Sequence, residues 1–366
     1  MKVGIVTFYD AYNCGAFLQA FALQKKIRQL GAEPYFIDQG ATVGRFGLGK
    51  FKGGGLVARL KHLARFMNEF VVARLRRERF DRCINQHLKV LSCQNGELPT
   101  VDCLIAGSDQ IWNPGLGGSV LGAYLMEPFL SHGNLNSYAA SFGISCLPDE
   151  LKGRFAQALS HYKNISVRED AGASIVQRLL GREAKVVLDP TLLLTCEDYR
   201  EVEVPRLVRV PYLCVYSVGE DNRLRSYAER IAKMKGLRLV YVQNGRMGIW
   251  GGKITDWRVT SPDRFLTLMR DCDCVLTNSF HGTIFSVLYR KPFVSIIKEG
   301  SRVSSRFETL LNALGLADHL MVGRATLCIH DIVNKFKWDV DSVSRRLTDL
   351  RASSVEFLRQ VLGGVQ

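Results

Sequence analysis

The segment Thr277–Thr283 reads TNSFHGT. An apolar run from Cys274 precedes it, and helix-spaced apolar residues follow it, so it spans the end of a strand and the start of a helix. In open α/β sheets, ligands bind beyond the carboxyl ends of the strands. A helix start carries unpaired N–H groups and the positive end of the dipole, which suit phosphate or carboxylate. Ser279 and Thr283 add hydroxyl donors, and Gly282 lets the backbone approach a ligand closely. His281 then sets a titratable imidazole over the anion, with an intrinsic pKa near neutrality for moving protons. The competing reading is local: Ser279 caps the helix and His281 is satisfied by its neighbours.

Three further segments carry polar groups at strand ends. In SVRED, Ser166–Asp170, the guanidinium of Arg168 can grip a carboxylate or phosphate in bidentate fashion; alternatively it pairs at the surface with Glu169 or Asp170. In GSDQIWN, Gly107–Asn113, Asp109 can act as a base or bind sugar hydroxyls. Trp112 offers a flat apolar face to a sugar ring, or fills the core behind a turn. In YNCGAFLQ, Tyr12–Gln19, Asn13 and Gln19 can hydrogen-bond a polar ligand, or Asn13 caps a helix. The single glycine, Gly15, makes this no dinucleotide fingerprint. Cys272 and Cys274 form a CxC, but no second Cys or His pair stands at zinc spacing, so no metal site is expected.

The elements that must position these residues alternate along the chain. Lys2–Phe8 reads as a buried parallel strand. A helix over about 15–30 follows, with Ala16, Ala20, Leu23, Ile27 and Leu30 on one face and Gly31 at its end. Strands are expected at Pro34–Asp38, Val101–Ala106, Leu135–Ala140, Ile165–Arg168 and Lys185–Leu188, with a helix at Ala171–Leu180. After the linker Glu197–Pro211 the alternation restarts. Strands at Tyr212–Val218, Leu237–Gln243, Cys274–Asn278 and Pro292–Ile297 interleave with helices at Arg223–Lys235, Pro262–Asp271, His281–Tyr289 and Arg306–Leu314, and a last helix spans Val340–Leu362. The reading is α/β: two Rossmann-like domains, 1–196 and 197–366, facing a cleft in the manner of GT-B glycosyltransferases, whose last helix often crosses back onto the first domain.

The 366 residues suit two domains. No run approaches the ~20 apolar residues of a membrane span, and Asp10 and Asn13 interrupt the N-terminal apolar stretch, so a cytoplasmic protein is expected. Its net charge is +14. Eleven Lys and Arg against three acids lie between Arg45 and Arg82. There, a glycine-rich loop, Gly40–Gly55, leads into an expected basic amphipathic helix, Leu56–Arg82, with Leu56, Leu60, Leu63, Met67 and Phe70 on one side. Such a helix packs on its own domain, touches an anionic membrane surface, or does both. No helix-turn-helix, zinc-finger or RNP-type motif supports nucleic-acid binding.

In order along the chain, YNCGAFLQAFAL, LIAGSDQIWN, SYAASFG, SVRED, VLDPTLLL and TNSFHGTIFSVLYRKPFVSI resemble the polysaccharide pyruvyl transferases. That resemblance implies transfer of a pyruvyl group from phosphoenolpyruvate to a sugar of a cell-surface polysaccharide or its lipid-linked precursor, with no cofactor. It implies His281 and Asp109 as catalytic residues. Arg168, Ser279, Gly282 and Thr283 would hold the donor, and Asn13, Gly15, Gln19, Gln110 and Trp112 the acceptor. Some members of the family carry an arginine two residues before the histidine. Ser279 stands there in this chain, leaving Lys298, Arg302 or Arg306 to supply a positive charge. A nucleotide-sugar glycosyltransferase would share the fold, and a non-enzymatic protein binding anionic surfaces would share the charge.

Overall fold

The computed structural model describes residues 1–40, 73–93, 99–219, 221–244, 255–256, 260–300, 304–323 and 327–363. The expected glycine-rich loop and most of the basic helix, including Leu56, Leu60, Leu63, Met67 and Phe70, lie outside them, as does Arg302.

The first sheet begins with β1 (Lys2–Val6), α1 (Cys14–Gln29) and β2 (Glu33–Asp38). A helix over 73–87, α2, leads to β3 (Val90–Ser92) and β4 (Cys103–Ala106). Then follow α3 (Gly118–Tyr124), β5 (Leu135–Ser137), α4 (Asp149–Ser160) and β6 (Tyr162–Asn164). The strands are all parallel, in the order β3-β2-β1-β4-β5-β6. A small parallel pair, β7 (Ser166–Val167) and β8 (Lys185–Val186), flanks α5 (Asp170–Leu180).

The second sheet repeats the plan. It comprises β9 (Tyr212–Val218), α6 (Asn222–Lys235), β10 (Arg238–Asn244), β11 (Thr255–Asp256), α7 (Pro262–Asp271), β12 (Cys274–Thr277), α8 (Phe280–Leu288), β13 (Phe293–Ile297), α9 (Ser304–Leu314), β14 (Leu320–Val322) and α10 (Ile329–Asn334). Its parallel order is β11-β10-β9-β12-β13-β14. In each sheet the first strand has a neighbour on both sides, so the order reverses between β1 and β4 and again between β9 and β12. These reversals are where such folds open a crevice for ligands.

Local chemistry explains the elements. β12 and β13 are mostly apolar and buried along their whole length because helices cover both faces of a parallel sheet. α7 opens with Pro262 at its first position, where the missing N–H costs nothing. α1 starts where Asn13 accepts from the N–H groups of Gly15 (2.8 Å) and Ala16 (3.3 Å). Strands as short as β3, β6 and β14 are formed by neighbours rather than by propensity.

The two halves share an apolar core. Phe21 of α1, Tyr199 of the connecting segment and Phe285 of α8 form a continuous aromatic path, with centroid separations of 5.8 and 5.3 Å. The last helix, α11 (Val340–Val361), packs along residues 188–194. Arg351 donates to the carbonyls of Leu192 (2.7 Å) and Leu194 (3.2 Å), and the Leu188 N–H donates to Ser354 Oγ (3.0 Å). No described helix is long and apolar enough to cross a membrane.

A buried charge cluster at the meeting of the two sheets

The loops after β1, β4, β7, β8 and β12 converge. At their centre stands Asp189, which caps a 3-10 turn at Pro190–Leu193 and is 2% exposed. Its Oδ1 accepts from the Thr191 N–H (3.0 Å) and hydroxyl (2.6 Å). Its Oδ2 accepts from Ser108 Oγ (3.1 Å) and Arg168 Nη1 (2.9 Å) and lies 3.7 Å from His281 Nε2. Burial alone would raise the pKa of this carboxyl. The His281 imidazole, the Arg168 guanidinium and the Thr191 hydroxyl outweigh burial and hold it well below the usual carboxylate range. One carboxylate thus joins groups supplied by residues 108, 168 and 281.

Arg168 follows β7 and is likewise buried. Desolvation works against its charge, but Asp189, Asp109 and Glu169 more than restore it. Asp109 Oδ1 lies 3.6 Å from Arg168 Nη2. Among the described residues Arg168 Nε and Nη2 have no hydrogen-bond partner, so the side chain keeps donors to spare. Glu169, which the alternative reading would pair with Arg168 at the surface, is fully buried and accepts from Ser141 Oγ (2.9 Å) and the Phe142 N–H (3.1 Å). Asp109 has φ +76°, a left-handed conformation that few non-glycine residues adopt. Such strain is held by the surrounding structure and concentrates at functional sites.

His281 is the second residue of α8 and is 7% exposed. Its ring lies against Gly15 at the start of α1: a Cβ on Gly15 would come within 2.1 Å of His281 Nδ1. Gly15 therefore serves the site by vacating space for the histidine. Among the described residues His281 Nε2 has no partner within hydrogen-bond distance; Asp189 Oδ2 faces it at 3.7 Å.

Arg306, on α9, completes the cluster. Its guanidinium carbon lies 5.4 Å from the centroid of the Phe280 ring, and that of Arg168 lies 4.8 Å from the same ring. Lys298, by contrast, is exposed. Gln110 reaches the cluster as well. With its amide oxygen turned inward, it lies 3.2 and 3.3 Å from the two terminal nitrogens of Arg306.

Several residues singled out in the sequence are spent on the fold instead. Trp112 is fully buried between Phe142 and Tyr162 and offers no face to a sugar. Gln19 is buried, its amide donating to Thr7 Oγ1, the Phe8 carbonyl and the Ala16 carbonyl. Asn13 is the α1 cap. Ser279 Oγ accepts from the Gly282 N–H (3.4 Å), and Thr283 Oγ1 pairs with Ser295 Oγ (2.6 Å) in the core. Gly282 is small because a Cβ there would meet Thr277 Oγ1 at 2.3 Å, so the space it leaves belongs to the protein and not to a ligand. Asp189 and Phe280 were not singled out, although both lie in quoted motifs. An aspartate before proline at a strand end is the one signal that marks Asp189, and it reads equally as an ordinary turn.

The polysaccharide pyruvyl transferase family model matches residues 13–297. No curated protein matches in sequence. Among solved structures, UDP-GlcNAc 2-epimerase from Neisseria meningitidis, bound to UDP-GlcNAc, superimposes with a TM-score of 0.52 at 9% identity, covering 99% of each chain. UGT89C1 of Arabidopsis thaliana, complexed with UDP, gives 0.52 at 8% identity, covering 100% of this chain and 99% of that one. At such identities the likeness is one of fold, the two-domain GT-B arrangement. With four fifths of its length matched by the family model, from the Asn13 cap through β13, the chain belongs to the polysaccharide pyruvyl transferase family.

Proposed function

We propose that the chain transfers the pyruvyl group of phosphoenolpyruvate to two hydroxyls of one sugar in a glycan, forming a cyclic ketal and releasing phosphate. The observation that carries this reading is the cluster of buried Arg168, Arg306, His281 and Asp189 with half-buried Asp109, in a chain of this family.

The chemistry asks for these groups. A proton goes to the methylene carbon, and the adjacent carbon gains oxocarbenium character. One sugar hydroxyl bonds to that carbon and the phosphate leaves; a second hydroxyl then closes the ring. Of the two hydroxyl protons, one balances the proton taken up by the methylene and the other departs with phosphate. Arg168 has free Nε and Nη2 donors for an anionic group of the donor. His281, with Nε2 3.7 Å from Asp189 Oδ2 and its ring against Gly15, is suited to hand protons between hydroxyl, methylene and phosphate. Asp109 is poised to accept a proton from the acceptor hydroxyl. Fixed charges in a water-poor site stabilise the developing charge without reorganising. Ser279, Gly282 and Thr283 support this site from behind by forming the start of α8.

The acceptor would be a glycan, free or lipid-linked. Work on a lipid-linked glycan suits a cytoplasmic protein that visits the inner membrane face through its basic segment. The test of the donor is thermal stabilisation. Phosphoenolpyruvate at 100 times its Kd adds about 2.7 kcal/mol to folded-state stability, and a nucleotide sugar that does not bind adds none. Stabilisation by nucleotide sugar alone would turn the assignment to glycosyl transfer.

A further inference from the structure

Arg306 is 6% exposed, and among the described residues no carboxylate lies within ion-pair distance of it. Among the described residues its Nε has no hydrogen-bond partner. Arg168, its neighbour, is in a different state, with Nη1 fixed by Asp189 and Nη2 beside Asp109. Burial, and then the positive charge of Arg168, push the Arg306 pKa down to about 10, so it stays protonated at neutral pH. Glu169, Asp109 and Asp189 act on Arg306 only from beyond ion-pair distance and offset part of the cost of its burial; a buried guanidinium with no carboxylate in contact is costly, and folds rarely keep one unless something else completes it. The segment that carries it is firmly placed. The Asp170 N–H donates to Thr309 Oγ1 (3.2 Å), and Thr309 Oγ1 donates to Asp170 Oδ2 (3.0 Å), tying α9 to the start of α5 just after Arg168. Arg306 is therefore held beside Arg168 at the Phe280 ring, with no carboxylate in direct contact among the described residues.

We infer that Arg306 binds one of the two anionic groups of the donor, with Arg168 binding the other, so that Phe280 and its two guanidinium groups form the donor's anion receptor. The inference rests on phosphoenolpyruvate being the donor, which carries both a carboxylate and a phosphate. Planar guanidinium groups suit either oxyanion. Phe280 holds both groups in place through its ring, and Gln110 steadies the Arg306 terminal nitrogens from the side away from the orphaned Nε.

The test is calorimetric titration of the full chain with phosphoenolpyruvate, and separately with UDP-GlcNAc, for the wild type, Arg306→Gln and Arg306→Lys. A group kept for ligand rather than for fold gives Arg306→Gln a melting temperature no lower than wild type without ligand, because a buried charge with no carboxylate in contact is removed. The phosphoenolpyruvate Kd rises on the order of 10- to 100-fold, the worth of a charge-assisted contact. Arg306→Lys, which keeps the charge but loses the fork, falls between. Unchanged phosphoenolpyruvate affinity in both variants overturns the inference and leaves the donor reading standing. A wild type that binds UDP-GlcNAc and not phosphoenolpyruvate overturns the donor reading, and this assignment with it. Should Arg306→Gln fail to fold, a fully active, normally binding Arg306→Lys still refutes the role, and a folded Arg306→Lys with weakened binding supports it.

Discussion

Gly15→Ala puts the meeting of the two halves to a direct test. The added methyl would stand 2.1 Å from His281 Nδ1, 2.5 Å from Cγ and 2.8 Å from Cε1, where ordinary contact begins at 3.4 Å. Backbone surrounds Gly15 in the first turn of α1, so the imidazole is the part that moves, by more than ~1 Å. Two stability effects oppose each other. Alanine gains up to about 1 kcal/mol over glycine in a helix, while overpacking costs about 1–3 kcal/mol. The net loss is then at most ~2 kcal/mol, and the protein stays folded. Activity responds far more strongly, since a displacement of ~1 Å in a catalytic group can cost ~10²-fold. The assay is kcat/KM for pyruvyl transfer, with melting temperature alongside, for Gly15→Ala, His281→Ala and the double variant. In the His281→Ala background the alanine at 15 meets empty space, so its stability cost should vanish and its effect on activity should disappear. A Gly15→Ala variant with wild-type turnover and unchanged stability would refute the packing of His281 on α1.

His281→Ala should lower turnover by ~10²–10⁴ while leaving the fold intact, read by kcat and circular dichroism; retention of more than about a tenth of the wild-type rate would exclude a positioned acid–base role. Asp189→Asn should destabilise the protein by about 3–5 kcal/mol, because Arg168 loses its partner in the core; a denaturant midpoint equal to wild type would contradict this. The folded-state pKa of Asp189 is depressed, so its contribution is present above the unfolded value of about 3.9 and is lost as pH falls below it. Wild type should therefore lose more stability than Asp189→Asn between pH 5 and pH 2. In the basic segment, Arg74 and Arg82 are exposed, whereas Arg76 is buried and donates to the Tyr12 carbonyl (2.7 Å). Reversing Arg74 and Arg82 to Glu should weaken sedimentation with strongly anionic liposomes at low salt without changing stability, and absence of wild-type sedimentation would remove the membrane from the account.

The fold was legible because its signals are local and repeated. The apolar strands Tyr212–Val218 and Cys274–Thr277, the proline opening α7 and the periodic face of α1 each announce an element within a few residues. The same locality placed His281 at a strand-to-helix turn. Side-chain fate was harder to read, because it depends on partners distant in sequence. Trp112 stands in a polar loop, yet Phe142 and Tyr162 close over it. Asp189 reads as a turn residue, and its importance appears only when residues 108, 168 and 281 arrive around it. Gly282 and Thr283 looked like a ligand cradle, but the same small residues let α8 pack tightly on β12 and β13. Glycine and hydroxyl residues at a helix start serve packing and binding equally well in sequence; only the neighbouring atoms distinguish the two.

The central claim is that this site transfers a pyruvyl group, and the most direct measurement is incubation with phosphoenolpyruvate labelled in its pyruvyl carbons. Candidate free and lipid-linked glycans serve as acceptors, followed by mass analysis of the glycan and assay of released phosphate. The account predicts one labelled ketal per modified sugar, with an equal amount of inorganic phosphate released and neither product formed by His281→Ala. Unlabelled glycan across the acceptor panel, together with sugar transfer from a nucleotide sugar, would contradict it.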